Sequence, residues 1–479
     1  MEPVMPHPSL PIALRESIAR ADQEHLLRFW DTLEASARDR LAGQLAAIDW
    51  DMLGELRRLG RSSGPEIVAG AATGLAADLA RATTPPCHRL GGDNANRAAT
   101  AGRAGLKAGH FGAVLVAGGQ GSRLGCNGPK GVVSVGSLSG ATLFDLLLGR
   151  LRGIARRYGR PLPLAIMTSS ATDADTRAWL ADHNHGGLDP DHVLVFRQRD
   201  LPAVDDVDGN LLLDAPDHIA MAPDGHGGML PALVAAGGLE WFADRGCRHV
   251  TTFQVDNPLS MPLHPEFLGH HLLRDAEFST QVVHKREPGE RVGVVASDGQ
   301  RTFVVEYSDL PAALAAERGP GDRLRFHAGS IAVHAFALDF LRRAAAAPDP
   351  LPLHVAHKAV PCLDASGARV HPRTPNAVKF ERFIFDLMPL ARCVCLVEID
   401  PAEGFAPLKN PPGAAADTLA HVQAALDAHA RRLLHRAGVV VPAGVGVELA
   451  PWILDEADLA AVLPPGSRID HPTVVGGGG

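Results

Sequence analysis

Apolar residues recur along this chain in two rhythms, and the change from one to the other divides it. Between His25 and Leu59, the residues Leu26, Leu27, Trp30, Leu33, Leu41, Leu45, Ile48, Trp50, Leu53 and Leu56 stand three or four positions apart with charges between them. That spacing gives a helix one apolar face. An Ala-rich stretch over 70–82 predicts another helix, and 83–103, with little apolar periodicity, predicts a loop or linker. At Gly112 the texture changes to short apolar runs: 113–117, 164–167, 192–196, 250–255, 279–284, 292–296, 303–307 and 330–334. Helical patterns at 143–158, 173–184, 230–245 and 264–275 separate several of them. Strands alternating with helices predict an α/β fold with a mostly parallel central sheet flanked by helices. An amphipathic helix over 418–437 and short Val/Gly/Pro-rich strands complete the chain. The expected division is a mainly helical N-terminal region over 1–105, an α/β domain over 106–412 and a small C-terminal domain over 413–479.

Composition narrows the class. The 479 residues are 46% hydrophobic, which rules out global disorder and leaves room for about three domains. A net charge of −8, from 46 basic and 54 acidic residues, argues against a nucleic-acid or anionic-membrane binder. No apolar window approaches the length of a membrane span, and no basic-then-apolar leader is present. Six scattered cysteines include no Cys-x-x-Cys pair, and Cys393 and Cys395 alternate as on one strand face. The expectation is a reduced, cytoplasmic protein.

The sharpest chemistry lies in Val114-Leu115-Val116-Ala117-Gly118-Gly119-Gln120-Gly121-Ser122-Arg123-Leu124-Gly125, followed by Pro129-Lys130. A buried strand enters a glycine-rich loop, and a helix is predicted to start near Thr142. Glycines let backbone N–H groups approach phosphate oxygens, because no Cβ intervenes. Arg123 and Lys130 add positive charge that can hold a polyphosphate and neutralise a leaving pyrophosphate. A dinucleotide fingerprint would need glycine at Leu124, and a Walker loop would need Gly-Lys-Ser/Thr where Pro129-Lys130-Gly131 stands. A structural glycine turn accounts for two glycines but not for the added cations.

This segment resembles the signature of sugar-nucleotide pyrophosphorylases, and further segments match in family order. They are Gln198 with Leu201-Pro202-Ala203, the run from Met221 to Gly228, Val255-Asp256-Asn257, Val292-Gly293-Val294-Val295, Val305-Glu306-Tyr307-Ser308 and Pro407-Leu408-Lys409-Asn410. The run from His25 to Trp30 looks similar too, so the resemblance spans roughly 20–440. It is strongest to the eukaryotic-type UDP-N-acetylhexosamine (UDP-N-acetylglucosamine) pyrophosphorylases. It implies a Rossmann-like nucleotidyltransferase that uses UTP and a hexose-1-phosphate, with Mg²⁺ as cofactor. N-acetylglucosamine-1-phosphate is the first expectation, and glucose-1-phosphate or galactose-1-phosphate the alternative.

The implied reaction is attack by a sugar-1-phosphate oxygen on the α-phosphorus of UTP. Two polyanions must meet, so positioning and charge neutralisation dominate. The resemblance assigns Arg123 and Lys130 to the triphosphate and leaving group, Lys409 to the reacting phosphates and Asp256 to Mg²⁺. Asp256 closes the apolar run 250–255, at a strand end where a hard carboxylate can meet a hard cation; an Asx turn is its bland reading. Nucleotide recognition falls to Ala117, Gly118, Gly119, Gly121, Gln198, Pro223, Asp224 and Gly225. The Gln198 amide offers both a donor and an acceptor to the imide edge of uracil. Sugar contacts fall to His226, Gly293, Glu306, Ser330 and Lys379.

The resemblance breaks where His226 and Ser330 replace the family's Asn, and where Ala377 replaces its Gly. Their donor sets differ, so these positions bear on which sugar is preferred. His183, His185, His270 and His271 lack metal-ligand spacing and read as surface residues. Two other classes remain as alternatives: a nicotinamide-dependent oxidoreductase built on the same glycine loop, and a non-catalytic nucleotide-sugar-binding relative.

Overall fold

The computed structural model describes residues 10–62, 79–126, 128–347 and 351–477. Contacts divide the chain into two compact units. One gathers Met1–Ala77, Arg199–Gly228 and Leu351–Phe383, and the other gathers Asp78–Gln198, Met229–Pro350 and Ile384–Gly479.

The second unit is built on a ten-stranded sheet: β1 (Cys87–Arg89), β2 (Phe111–Val116), β3 (Leu164–Thr168), β4 (Val193–Arg197), β5 (His249–Gln254), β6 (Phe278–His284), β7 (Val294–Ser297), β8 (Thr302–Val305), β9 (Ala328–Ala337) and β10 (Val394–Ile399). Across the sheet the order is β1-β10-β6-β9-β5-β2-β3-β4, and the β7–β8 hairpin pairs onto β9. β9 runs against both of its neighbours, while every other pairing in that order is parallel. Seven strands therefore end at one shared carboxyl edge. The central strands are buried on both faces (β3 along its whole length), as their unbroken apolar runs require. All eight apolar runs expected as strands are strands, and the mostly parallel α/β architecture is the observed one.

The helices arise from local chemistry. α1 (Ala95–Ala108) and α3 (Pro265–Leu273) cross so closely that a Cβ on Gly102 would lie 1.8 Å from the Pro265 carbonyl oxygen. α2 (Leu143–Tyr158) opens on a capping box: Thr142 Oγ1 accepts from Asp145 N at 3.1 Å, and Asp145 Oδ2 accepts from Thr142 N at 2.9 Å. It ends at Gly159 in the left-handed conformation. Leu147, Leu148 and Leu151 of α2 pack with Phe111, Leu115, Ile166 and Phe253 in the main core. α4 (Leu419–Arg436) begins the C-terminal segment, whose parallel strand pair Val447–Leu449 and Thr473–Val475 shares an apolar cluster with it.

The other unit holds the helices Ile12–Arg20, Ala35–Ala47 and Trp50–Ser62, with a small antiparallel sheet of Val204–Asp205, Ala377–Glu381 and His354–Lys358. The expected apolar stripe is there: Leu26, Leu41, Leu45, Leu53 and Leu56 pack with Val204, Val378 and Phe380. It is carried by two 3₁₀ turns and two α-helices, with Ile48 extended between the latter and Asp49 Oδ1 accepting from Met52 N at 3.0 Å.

Several expectations are corrected. The stretch 83–103 is not a linker: it contains β1 and the start of α1, whose buried residues within that stretch are only Ala98 and Gly102, the large aliphatic Leu106 coming after it. The helix expected over 230–245 is two, Met229–Ala235 and Gly238–Asp244, parted at Gly237 with φ +69°. His270 and His271 are buried on α3, where His271 Nδ1 lies 2.7 Å from Ser279 Oγ and Nε2 lies 3.0 Å from His249 Nδ1. Burial pushes the His271 pKa down to about 3, so it is neutral in the fold. The compact units do not obey linear cuts at 105 and 412, because 199–228 and 351–383 pack with the N-terminal helices. Of the helix expected over 70–82, residues 70–78 lie outside the described residues. All six cysteines are free thiols. Among the described residues, no helix is long and apolar enough to cross a membrane.

Candidate active site

The carboxyl edge of the large sheet collects the residues just beyond its central strands. β2 and β5 are in register to their last residues, Val116 and Gln254, and β3 and β4 to Thr168 and Arg197. The next residues on these strands, Ala117-Gly118, Val255-Asp256, Ser169 and Gln198, thus emerge side by side. Backbone bonds extend the ladder one step further: Ala117 N donates to Met167 O, Val255 N to Val116 O and Gln198 N to Thr168 O, at 2.8–3.0 Å.

The glycine loop leaves β2 and returns. Gly121 N donates to Gly128 O and Lys130 N to Gly119 O, each at 2.9 Å, which brings Lys130 back to the strand end. A Cβ on Gly118 would lie 2.5 Å from Gln198 Nε2 and displace that amide, whereas a Cβ on Gly119 would face open space. Ser169 Oγ donates to Gly118 O at 2.7 Å and fixes the start of the loop. Gln198 is buried, and its Oε1 accepts no hydrogen bond among the described residues. A buried amide oxygen in that state can accept a hydrogen bond from a ligand or a water.

Asp256 and Asn257 divide the work of their turn. Asn257 is structural: its Nδ2 donates to Gly404 O at 2.8 Å and its Oδ1 accepts from Ala406 N at 3.0 Å. The Asp256 carbonyl accepts from Leu408 N at 2.8 Å, so this turn clasps the proline-bounded loop that carries Lys409. Arg150, half-buried, donates to Pro258 O at 2.7 Å and Ser260 O at 2.8 Å and holds the turn from behind. The Asp256 carboxylate stays out of this network; it meets Lys130 Nζ at 3.8 Å, longer than a hydrogen bond. Burial lowers the Lys130 pKa; Asp256 opposes that shift, while Lys409 and Arg123 add to it. Lys130 thus faces one carboxylate, and Arg123 and Lys409, both exposed, lie near enough to act on that lysine.

Farther along the same unit, Ser330 N donates to Gly293 O at 2.8 Å, and a Cβ on Gly293 would lie 2.8 Å from Glu306 Oε1. Gly293, Glu306 and Ser330 are therefore brought together by the pairing of β7 with β8 and β9.

The remaining sequence-derived residues lie in the other unit. Asp224 is fully buried, and both of its carboxylate oxygens accept from Arg382 Nη1 at 2.8 Å. Arg382 N donates to Asp224 O at 2.9 Å and Gly227 N to Arg382 O at 2.7 Å. The side chain of Asp224 is thus committed to the fold, and what Pro223, Asp224 and Gly225 can offer a nucleotide is backbone. Gly225 has φ +72°, and a Cβ there would lie 2.6 Å from the Arg382 carbonyl oxygen. The His226 ring stacks on Phe383 at 5.2 Å, and His354 meets the same ring at 4.3 Å. Lys379 is half-buried on Ala377–Glu381, opposite Ala356.

Sequence reasoning assigned no role to Arg150, Asn257, Arg382 or Asp417. The Asp417 carbonyl accepts from Lys409 N at 2.9 Å and from Asn410 N at 3.0 Å. The Asx-turn reading of Asp-Asn-Pro is a usable signal for Asn257, while the partners of the others are distant in sequence.

Comparison with known proteins agrees with this geometry. Residues 104–414 match the family model described as UTP–glucose-1-phosphate uridylyltransferase. The mouse UDP-N-acetylhexosamine pyrophosphorylase-like protein 1 is 36% identical over 89% of this chain and 85% of its own length. The Saccharomyces cerevisiae UDP-N-acetylglucosamine pyrophosphorylase is 35% identical over 73% of this chain and 75% of its own. The solved uridine diphosphate N-acetylglucosamine pyrophosphorylase of Trypanosoma brucei shares the fold, with a TM-score of 0.77 at 22% identity over 95% of each chain.

Proposed function

This chain belongs to the UTP–glucose-1-phosphate uridylyltransferase family, and from that premise we propose that it makes UDP-N-acetylglucosamine and pyrophosphate from UTP and N-acetylglucosamine-1-phosphate. An oxygen of the sugar phosphate attacks the α-phosphorus of UTP, and the bond from that phosphorus to the β-phosphate bridging oxygen breaks. The observation that carries this reading is the return of the glycine loop that sets Lys130 3.8 Å from Asp256, with Arg123 and Lys409 near enough to act on Lys130. Such a cluster holds excess positive charge for a polyanion and gains when pyrophosphate leaves.

In this reading Arg123 and Lys130 hold the triphosphate and the departing pyrophosphate, and Lys409 holds the α-phosphate and the sugar phosphate. Gln198 accepts from the uracil N3–H, with the backbone of Ala117, Gly118, Gly119 and Gly121 around the nucleotide. Pro223, Asp224 and Gly225 add backbone contacts to the nucleoside. Gly293, Glu306, Ser330, His226 and Lys379 address the sugar.

Asp256 fits Mg²⁺ by donor chemistry, as a carboxylate beside the phosphate loop whose nearest cation stands beyond hydrogen-bond reach. Among the described residues no three His, Cys, Asp or Glu side chains cluster for a metal, so phosphate oxygens and water would fill most of the coordination sphere. When bound, Mg²⁺ supplies neutralisation of charge across the triphosphate. The free thiols accord with a reducing, cytoplasmic setting.

The sugar is the finer part of the reading. His226 and Ser330 replace amide side chains, which makes glucose-1-phosphate and galactose-1-phosphate the competing substrates. Pyrophosphate release from UTP and Mg²⁺ with each sugar-1-phosphate tests this: fastest release with the N-acetylated sugar is expected. Faster release with glucose-1-phosphate or galactose-1-phosphate would replace the proposed substrate.

A further inference from the structure

The chain approaches Lys409 without regular secondary structure, yet Gly404, Ala406, Pro407 and Leu408 are buried. Buried backbone outside helix and sheet must find its partners elsewhere. Phe405 N donates back to Pro401 O at 2.9 Å, and Pro407 has no N–H to satisfy. Three further groups turn to one place. Gly404 O accepts from Asn257 Nδ2 at 2.8 Å, Ala406 N donates to Asn257 Oδ1 at 3.0 Å, and Leu408 N donates to Asp256 O at 2.8 Å. Every second residue from Gly404 to Leu408 is thus bonded to Asp256-Asn257, much as one strand bonds to another. The chain emerges from burial at the next residue, Lys409.

The side chain at 257 suits this task. Gly404 O needs a donor and Ala406 N an acceptor, and a short amide carries both. Among the described residues, no other side chain bonds the backbone between Gly404 and Leu408. Asn257, 3% exposed, also serves its own turn: Oδ1 accepts from Leu259 N at 3.3 Å and the carbonyl from Ser260 N at 3.1 Å. A side chain that closes an Asx turn need only accept, so the turn does not account for the amide nitrogen. The bond to Gly404 does.

We propose that Asn257 is a positioning residue for uridylyl transfer, setting where Lys409 stands relative to Asp256 by bonding the chain that leads to that lysine. The inference rests on the uridylyl-transfer reading above. Asp256 and Asn257 are consecutive, so the carboxylate and the tether share one turn, and slack in the tether becomes displacement of Lys409. A misplacement of about 1 Å can cost on the order of 10²-fold in rate.

The test compares wild type with Asn257→Ser, Asn257→Ala, Lys409→Ala and the Asn257→Ser/Lys409→Ala double variant, by steady-state pyrophosphate release and thermal midpoint. Ser keeps an oxygen that can accept from Leu259 N, so it preserves the local turn while giving up the amide that reaches Gly404 and Ala406. Rates are read well below every midpoint, where a loss of stability alone leaves kcat unchanged. The expected result in Asn257→Ser and Asn257→Ala is a midpoint lower by a few degrees and a kcat lower by roughly 10- to 100-fold. KM for UTP should stay within about threefold of wild type. In the Lys409→Ala background, Asn257→Ser should cost less than about twofold more, because it acts through that lysine. Wild-type kcat beside a lowered midpoint would make Asn257 a stabilising residue only and overturn the inference. So would a loss carried by KM for UTP alone, fully multiplicative losses in the double variant, or failure of both single Asn257 variants to fold. A wild-type protein without turnover would instead sink the uridylyl-transfer reading, and this inference with it.

Discussion

The large sheet unit handles charge in two opposite ways. In the C-terminal segment, Glu448 accepts from Ser137 Oγ at 3.0 Å, Leu138 N at 2.6 Å and Ser139 N at 3.1 Å. Arg157 of α2 reaches Asp455 at 2.6 Å and Asp458 at 2.5 Å, and Gly149 and Gly153 of α2 let Pro451 and Trp452 close against that helix. Each charge there meets an opposite charge or several donors at bonding distance. At the carboxyl edge of the same unit, Asp256 stands 3.8 Å from Lys130, the Gln198 oxygen accepts nothing among the described residues, and Arg123 and Lys409 are exposed. Satisfied polar groups fasten an element to its neighbour; unsatisfied ones at a strand edge are capacity held for a ligand. The same residue types thus divide by their surroundings. Asp224, both oxygens on Arg382, belongs with the first kind even though its sequence motif suggests the second.

Substitutions at the edge should damage turnover and spare the fold, and those in the fastening should do the reverse. The largest effect belongs to Lys409→Ala, where kcat is expected to fall by about 10²- to 10⁴-fold with an unchanged thermal midpoint. Turnover within a few-fold of wild type would remove Lys409 from the chemistry. Gln198→Ala is expected to raise KM for UTP by about tenfold, or about 1.4 kcal/mol, with a smaller change in kcat. If KM stayed put, the buried acceptor would be no uracil contact.

Glu448→Gln sharpens the contrast from the other side. It should lower stability by about 1–2 kcal/mol while kcat stays close to wild type. The donors around Glu448, with Ser139 the strongest, overcome its burial and hold its pKa below the usual 4.5. A depressed carboxyl stabilises the fold above the unfolded value and loses that contribution as pH falls through the folded one. Acid titration of the midpoint below pH 4.5 should therefore show a larger fall in wild type than in Glu448→Gln, which keeps the other depressed carboxyls such as Asp455. Parallel curves would mean that Glu448 does not fasten the segment.

Sequence alone reached the sheet, because parallel strands buried on both faces are continuous apolar runs. Gly118 and Asp256 follow two of those runs and so fall just beyond strand ends by position, whereas Lys130 came from its motif and Gln198 from the family resemblance. It failed where the determining contact is small or remote. The first turns of α1 pack through Ala98 and Gly102, whose value appears once the Pro265 carbonyl lies against Gly102. The burial of His270 and His271 depends on the strand beneath α3, and the Asp417 carbonyl meets Lys409 N and Asn410 N only once the loop between them folds back.

The central claim is that the uncommitted charges at the carboxyl edge perform phosphoryl chemistry. It is tested most directly by exchange of labelled pyrophosphate into UTP, with UDP-N-acetylglucosamine and Mg²⁺, in wild type and Lys409→Ala. Rapid label transfer in wild type that collapses in the variant is the predicted result. Binding of the UDP-sugar with no exchange in wild type would contradict the claim and make the chain a non-catalytic nucleotide-sugar binder.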